Sequence, residues 1–190
     1  MKTQLTIFAI FLCFTFVKSQ TFTDNRDGKT YKIVTIGKQI WMAENLAFKT
    51  EDSFCYDNDE ALCEKYGRLY TAEEAENVCP QGWRLPNAQD WRTLEMTLGM
   101  PAEEIEETGW RGTTEGTKLK VGGSSGFNAI LGGKMTPNGN FSGLNLNGNY
   151  WSSTKDANGY NFYRYVAKDK EQIGRLSISG YAFSVRCIKE

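Results

Sequence analysis

The sequence contains no histidine, so a Ser-His or Cys-His nucleophilic site cannot form. It also has no C-x-x-C pair, the spacing that many structural zinc sites use. No two basic residues are adjacent and the net charge is -1, so the sequence does not predict a nucleic-acid-binding protein. These absences favour recognition or structural roles over catalysis.

Long hydrophobic runs are also missing. The longest apolar stretch, residues 5–17, is shorter than the ~20 residues that a membrane-spanning helix needs. A short basic segment precedes it, and Ser19 completes a small-residue cleavage site. The pattern predicts a secretory signal peptide at residues 1–19, no membrane span after its removal, and one secreted or cell-surface domain at residues 20–190.

Four cysteines remain after signal cleavage, an even number in a chain sent to an oxidising compartment. They allow three pairings. We favour a local disulfide between Cys55 and Cys63 and a long-range disulfide between Cys79 and Cys187, and the other two pairings remain open. A zinc site is the alternative, but the spacing is unfavourable.

The apolar pattern predicts strands near both ends of the domain. Residues 30–36 alternate in polarity, a tight turn follows at Gly37, and residues 39–42 form a second strand, so the N-terminal third is a β-meander. Short hydrophobic runs later in the chain predict further strands. These runs cover residues 127–131, 150–151, 160–167 and 181–188.

Helices are expected in the middle of the chain. A capping box at Thr71 begins one, Asn87 and Asp90 cap a second that ends at Gly99, and Pro101 opens a third, short and acidic. From Gly112 onward, Gly, Ser, Thr and Asn dominate, which is typical of long loops. The sequence predicts an α+β domain with a small antiparallel sheet, two main helices and long irregular loops.

Six segments in order resemble the Fibrobacter succinogenes major paralogous domain family. They read GKQIWMAENL, YGRLY, CPQGWRLP, GFNA, YWSST and FSVRC, at residues 37–46, 66–70, 79–86, 126–129, 150–154 and 183–187. The family is similar to the C-type-lectin-like fold, in which a disulfide joins the end of the first helix to the last strand. The resemblance implies one such domain over residues 20–190 and supports pairing Cys79 with Cys187.

An enzyme is the first functional alternative. Residues 84–91 also resemble formylglycine-generating enzymes, which share this fold and use a pair of reactive cysteines. The matching segment here, residues 148–153, contains no cysteine, so that thiol chemistry is not expected. Glu103 with Glu106 or Glu107 could act as acid and base, but an acidic helix is more often a solvated face.

Calcium-dependent sugar binding is a second alternative. C-type lectins with this activity carry Glu-Pro-Asn or Gln-Pro-Asp and Trp-Asn-Asp motifs, whereas this chain has Leu-Pro-Asn at residues 85–87 and Trp-Ser-Ser at residues 151–153. Serines supply no charge to a hard cation, so the usual site is not expected. Asp57, Asp59 and Glu60 offer a different, weak calcium site, although an acidic loop also serves simply to stay hydrated.

The asparagine-rich stretch before Trp151 is the preferred binding site. Amides donate to and accept from sugar hydroxyls, and aromatic faces stack on sugar rings. We therefore predict a ligand surface made by Asn145, Asn147, Asn149 and Trp151. The competing interpretation places Trp151 in the core and uses the asparagines for turns.

The remaining large residues are assigned to structure. The other tryptophans are expected in the core, and Arg84 and Arg186 are expected to pair with buried carboxylates. Those tryptophans are Trp41, Trp83, Trp91 and Trp110. The leading hypothesis is a secreted, non-catalytic recognition module for a glycan or a surface protein, with no resident cofactor. An enzyme and a surface-structural protein remain the alternatives.

Overall fold

The computed structural model describes residues 20–190; the expected signal peptide, residues 1–19, lies outside them. The described chain is a mixed α+β structure made mostly of strands. Its helices are α1 (Glu60–Tyr66), α2 (Ala72–Asn77), α3 (Ala88–Thr97) and α4 (Glu115–Leu119). None of the helices formed by residues 20–190 is long and apolar enough to cross a membrane.

The strands occupy both ends of the described chain. They are β1 (Gln20–Thr23), β2 (Thr30–Ile36), β3 (Gln39–Met42), β4 (Ser53–Phe54), β5 (Leu69–Thr71), β6 (Trp83–Arg84), β7 (Gly109–Arg111), β8 (Gly132–Met135), β9 (Phe141–Leu144), β10 (Asn147–Lys155), β11 (Asn161–Ala167), β12 (Ile173–Ile178), β13 (Ala182–Ser184) and β14 (Ile188–Lys189). They form two sheets.

The smaller sheet has the strand order β1-β2-β3-β14-β6 and is antiparallel throughout. It brings the first and last strands of the described chain into one layer. The larger sheet runs β4-β5-β13-β8-β10-β11-β12-β7, with β9 paired to β8. Its longest ladders join β10 to β11 and β11 to β12. The structure confirms an α+β fold, with more sheet than the sequence predicts.

The N-terminal meander forms where the alternation of polarity predicts it. Strands β2 and β3 have the expected bounds, and the turn between them contains Gly37 at a φ of 61°, a left-handed conformation that glycine adopts without steric cost. Tyr31 and Ile36 are buried on β2. The local signals of strand and turn therefore suffice for this part of the fold.

Helix α3 begins with the predicted capping box. The Asn87 side chain accepts from the Asp90 backbone N–H at 2.9 Å, and the Asp90 carboxylate accepts from the Asn87 N–H at 2.7 Å. Arg84 pairs with the same carboxylate at 2.6 Å and 2.9 Å, as expected. Trp91 and Leu94 lie on its buried face.

Two predicted elements differ in the structure. Residues 102–106 form consecutive turns, not a helix, because Ile105 is the one buried apolar side chain of that stretch and a short helix without an apolar stripe is unstable. Conversely, α1 begins within the acidic segment that we expected to remain a loop: Glu60 is its first residue and Asp59 is its N-cap. The run 127–131 contributes only one isolated bridge, at Ala129.

The C-terminal segment lies between two hydrophobic clusters. Phe183, Val185 and Cys187 belong to one cluster, together with Trp151. Ile188 belongs to the other, which contains Trp41, Trp91 and Phe127. The alternation of side chains along the last strands therefore supplies both clusters, and Arg186 is buried between them.

Three of the four tryptophans assigned to the core are buried: Trp41, Trp83 and Trp91. Trp110 does not follow this assignment. It lies on β7 at the edge of the larger sheet and is 37% exposed, with its ring 4.4 Å from that of Tyr165.

Two disulfides link the chain in the favoured pairing. Cys55 bonds Cys63 across the start of α1, and Cys79, just after α2, bonds Cys187, just before β14. The second disulfide joins residues 108 positions apart. It therefore fixes the helical middle of the chain to the C-terminal strand.

A buried ion cluster holds α3 against the larger sheet. Glu95 accepts from Arg111 at 3.0 Å and 3.1 Å and from Arg164 at 2.5 Å, and all three side chains are fully buried. Burial lowers the pKa of Arg164 to about 10, against the opposing effect of Glu95. A buried charge of this kind needs a partner of opposite charge, because the low-dielectric interior does not solvate an ion as water does.

Candidate functional site

Trp151 is a core residue, and the predicted sugar-stacking role for it is wrong. Its side chain is 0% exposed, and its ring lies 4.4 Å from that of Phe183. The indole Nε1–H donates to the backbone carbonyl of Tyr70 at 2.8 Å. A ring enclosed on both faces cannot stack on a ligand, so the competing core interpretation holds for Trp151.

Asn149 also faces the protein, and Asn147 is partly buried. Asn149 is buried, and its amide donates to the carbonyl of Gly133 at 3.1 Å, which joins β10 to β8. Asn147 is partly buried at the start of β10, where its side chain packs against Gly143. The Asn149 amide stabilises strand pairing, which corrects the prediction for Asn149, whereas Asn147 stays partly exposed.

Asn145 is the exposed member of the predicted set. It has a φ of 59°, a left-handed conformation that asparagine tolerates better than most residues. Its Oδ1 accepts from the Tyr66 hydroxyl at 2.8 Å, and its backbone N–H donates to the Leu131 carbonyl at 2.9 Å. These two bonds fix the side chain at the mouth of a groove.

The groove beside Asn145 has a volume of about 420 Å³, within the ~300–1,000 Å³ range of ligand sites. We call it the lysine groove. Its lining residues are Lys65, Tyr66, Lys120, Val121, Ala129, Ile130, Leu131, Asn145 and Lys168. The floor is aliphatic, and the cations lie around it.

Five separate segments build the lysine groove, and backbone bonds fix them to one another. The Ala129 N–H donates to the Leu119 carbonyl at 2.8 Å, beside the bridge between Lys120 and Ala129. The Lys168 N–H donates to the Leu146 carbonyl at 2.9 Å. The end of α1 supplies the remaining wall. The groove is therefore formed by the fold and not by one loop.

The electrostatics of the lysine groove are one-sided. Its lining contains three lysines and no carboxylate, and within residues 20–190 none of the three takes part in a salt bridge. The Lys120 ammonium donates to three backbone carbonyls, those of Ala167, Lys168 and Lys170. These carbonyls hold the Lys120 side chain in place without removing its charge.

The proposed weak calcium site is not assembled. Asp59 accepts from the Ala61 N–H as the N-cap of α1, and Glu60 pairs with Arg68 at 3.0 Å and with Lys49 at 3.2 Å. Among the described residues, the one close cluster of possible metal ligands combines Glu60 with the two disulfide-bonded cysteines, and it does not include Asp57 or Asp59. A cysteine in a disulfide offers no thiolate, so this cluster is not a metal site.

Of the acidic residues considered as catalytic carboxylates, Glu106 has arginine partners. Glu106 pairs with Arg92 and, at 3.4 Å, with Arg175. Glu104, from the same stretch, accepts from the Gly112 N–H at 2.6 Å. Glu103 is exposed. The stretch connects α3 to β7.

Arg186 joins three of the segments that carry the family resemblance. Its guanidinium donates to Asn45 Oδ1 at 2.7 Å and to the carbonyls of Met42 at 3.1 Å, Phe127 at 2.5 Å and Asn128 at 2.6 Å. All four acceptors are neutral, so the expected carboxylate partner for Arg186 is wrong. Burial lowers the pKa of Arg186 to about 10.

Sequence reasoning did not identify most of the lysine groove. It singled out Asn145 and the glycine-rich region after Gly112, but not the three lysines or the aliphatic floor. The lysines are separated by 55 and 48 positions in the chain, from Lys65 to Lys120 and from Lys120 to Lys168. No local periodicity or motif connects residues so far apart.

These features define a disulfide-linked α+β domain with an open, cationic groove on its surface. The family model described as Fibrobacter succinogenes major domain matches residues 34–189. Because the match covers most of the chain, the protein belongs to this family. Comparisons with curated proteins and with solved structures found no match.

Proposed function

We propose that the protein is a secreted, non-catalytic recognition module that binds a glycan or a surface protein through the lysine groove. The observation that carries this proposal is the groove itself: a preformed concave site with an aliphatic floor and a few polar groups at its edge. Binding sites commonly have this composition. Asn145, the exposed residue of the original prediction, lines it.

A non-catalytic role is supported by how the buried carboxylates are used. Glu95 is paired with two arginines, and Asp90 caps α3 and pairs with Arg84. Glu115 accepts from the N–H groups of the loop before α4. Each of these carboxylates stabilises the backbone or a buried cation, and the chain contains no histidine to act as a base.

We further propose that residues 20–190 are one exported domain with a C-type-lectin-like arrangement. Support comes from the disulfide between Cys79 and Cys187, which joins the end of a helix to the C-terminal strand. The position of β1 and β14 in one sheet gives further support, since it places the two ends of the domain in one layer. Both disulfides suit an oxidising compartment.

The experiment is a binding screen of the full chain, expressed for export, against cell-surface polysaccharides and surface proteins, in calcium and in EDTA. We expect retention of a ligand in both buffers. Val121→Glu, which puts a charge at the rim, should weaken that binding at least about tenfold. Because Val121 is 68% exposed, the melting temperature should stay unchanged.

Leu176→Glu is the matched control, because Leu176 is exposed on β12 and does not line the groove. It should bind like the wild type. If no ligand is retained, or if Val121→Glu binds as well as Leu176→Glu, recognition through the lysine groove is wrong. Binding lost only in EDTA would instead place a metal in the recognition step and overturn the calcium-independent mode.

A further inference from the structure

We infer that the ligand of the lysine groove is an acidic polysaccharide, recognised through its repeated carboxylates. This inference rests on the proposed function, because it names the ligand class of the same groove. Three features of the groove carry it: its unopposed positive charge, the direction of its hydrogen-bonding groups and its aliphatic floor.

The positive charge of the groove favours a ligand with more than one anionic group. Lys65, Lys120 and Lys168 contribute three positive charges, and no lining residue contributes a negative one. A single carboxylate would neutralise one of them. A polymer with a carboxylate on each sugar ring presents several charges along its length, so it matches a groove lined by three lysines from separate segments of the chain.

Most of the side-chain hydrogen-bonding groups that line the groove are donors: the ammonium groups of the lysines and the amide N–H₂ of Asn145. Asn145 Oδ1 is occupied by the Tyr66 hydroxyl, so the Asn145 amide presents its N–H₂ group. The carbonyl of Leu131 accepts from the Asn145 N–H, and the carbonyl of Ile130 accepts from Tyr150 and Gly132. A ligand that supplies acceptors matches these donors, and a carboxylate supplies acceptors only.

The floor is suited to a sugar ring whose hydroxyls stay in water. Ala129, Ile130 and Leu131 form an aliphatic surface against which the C–H face of a ring can pack, with Val121 at the rim. A neutral sugar would need protein acceptors for its hydroxyls, and the groove offers few. An acidic sugar gains its specificity from the carboxylate instead, so its hydroxyls can remain hydrated.

The first test compares two forms of one polymer. Polygalacturonate should bind the wild-type protein, and its fully methyl-esterified form, which keeps the sugar backbone but loses the charge, should bind at least about tenfold more weakly. Binding of polygalacturonate should also weaken as salt is raised from about 0.01 M to 0.15 M, because screening shortens the reach of exposed charges. Titration calorimetry measures both effects.

The second test replaces the amide of one groove residue by a carboxylate while keeping the contacts that hold the residue in the fold. Asn145→Asp keeps an acceptor for the Tyr66 hydroxyl and a residue that tolerates positive φ, but it replaces the amide donor with a carboxylate. We expect a loss of binding of at least about tenfold with an unchanged melting temperature. Asn138→Asp, at an exposed position outside the groove, adds the same charge and should bind like the wild type.

Substitution of two groove lysines tests the role of the positive charge independently. Lys65→Gln with Lys168→Gln should weaken binding of polygalacturonate at least about tenfold, whereas Lys32→Gln with Lys38→Gln, which removes the same charge elsewhere, should not. Lys120 is left intact because its ammonium also holds three backbone carbonyls. Melting temperatures check that both double variants fold.

The outcomes separate this inference from the proposed function. Equal binding of the esterified polymer, or equal binding by the Asn145→Asp and Asn138→Asp variants, overturns the acidic-polysaccharide ligand. So does groove-dependent binding of a neutral glycan, or of polyglutamate in preference to polygalacturonate, although recognition through the groove then stands. Failure of every polysaccharide and every surface protein to bind overturns both.

Discussion

Arg186 shows how one residue connects distant parts of the chain. Its planar guanidinium reaches an amide oxygen and three backbone carbonyls and lies against the rings of Phe127 and Tyr150. Arginine can do this because its donors form a rigid fork, whereas lysine concentrates its donors on one nitrogen. The family resemblance at Asn45 and Phe127 thus has a structural cause.

Arg186→Lys is therefore expected to be strongly destabilising. Lysine cannot reach all the acceptors, and each buried acceptor left without a partner costs ~1–3 kcal/mol, so we expect a loss of about 3 kcal/mol or more in the free energy of unfolding. Urea denaturation measures it. Arg92→Lys, at a partly exposed position, is the control and should cost less than about 1 kcal/mol. Similar losses in both variants would contradict the role assigned to Arg186.

Asp24 is expected to make the free energy of unfolding of the domain depend on pH in the acidic range. Burial raises the pKa of this carboxyl, but hydrogen bonds and charge from Arg26 more than offset burial and lower the pKa below its ordinary value. Because the pKa of Asp24 is lower in the folded protein than in the unfolded chain, its ionised carboxylate stabilises the fold. This contribution is complete at a pH above the unfolded-state pKa of about 3.9, and it is lost as the pH falls through the folded-state pKa. Arg26 in turn donates to the Val78 carbonyl and lies over Phe48.

We expect Asp24→Asn to lower the free energy of unfolding by about 2 kcal/mol at pH 7, because a buried charge-assisted bond is lost. The difference from the wild type should shrink as pH falls below about 4. Urea titrations at pH 7 and pH 3 measure it, with the exposed Asp169→Asn as control. A difference that stays constant between these pH values would refute the assignment.

At the scale of the elements, a buried charge ties α3 to the larger sheet. Glu95 faces two buried arginines from β7 and β11, so removal of its charge leaves two cations without a counter-ion. Glu95→Gln should therefore cost about 3–5 kcal/mol in the free energy of unfolding. Chemical denaturation followed by tryptophan fluorescence measures it, with the exposed Glu103→Gln as control. A cost below about 1 kcal/mol would mean that water reaches the cluster.

At the scale of the whole molecule, the two disulfides are expected to differ in their effect. In the loop-entropy model, the link between residues 108 positions apart stabilises by about 5 kcal/mol, and the link across 8 positions by about 2.5 kcal/mol. Cys79→Ala with Cys187→Ala should therefore lower the urea midpoint about twice as much as Cys55→Ala with Cys63→Ala. Equal shifts would show that the unfolded chain is already compact.

The sequence predicts the parts of the fold that depend on neighbours in the chain. Strands β2 and β3 follow from alternation and a glycine turn, and α3 follows from its capping box at Asn87. Helix α1 was missed because its stability comes from the Cys55–Cys63 disulfide and from the Asp59 cap, which resemble an ordinary acidic loop in sequence.

The candidate site is less predictable, since it depends on contacts between distant residues. An asparagine or a tryptophan can contact a ligand only if its side chain is exposed. The burial of Trp151 and Asn149 results from strands that pair across the larger sheet. Asn145 escapes burial because it occupies the turn between β9 and β10. Amino-acid composition alone could not distinguish the exposed Asn145 from the buried Asn149 and Trp151.

The positions of the groove-lining residues in the sequence have a practical consequence for protein engineering. Of the groove-lining residues, the exposed or partly exposed Lys65, Val121, Ile130, Asn145 and Lys168 lie outside the six resemblance segments. A combinatorial library at these five positions would leave the buried arginine, both disulfides and the capping box of α3 untouched. The domain is thus a scaffold from which binders of new specificity can be selected by display.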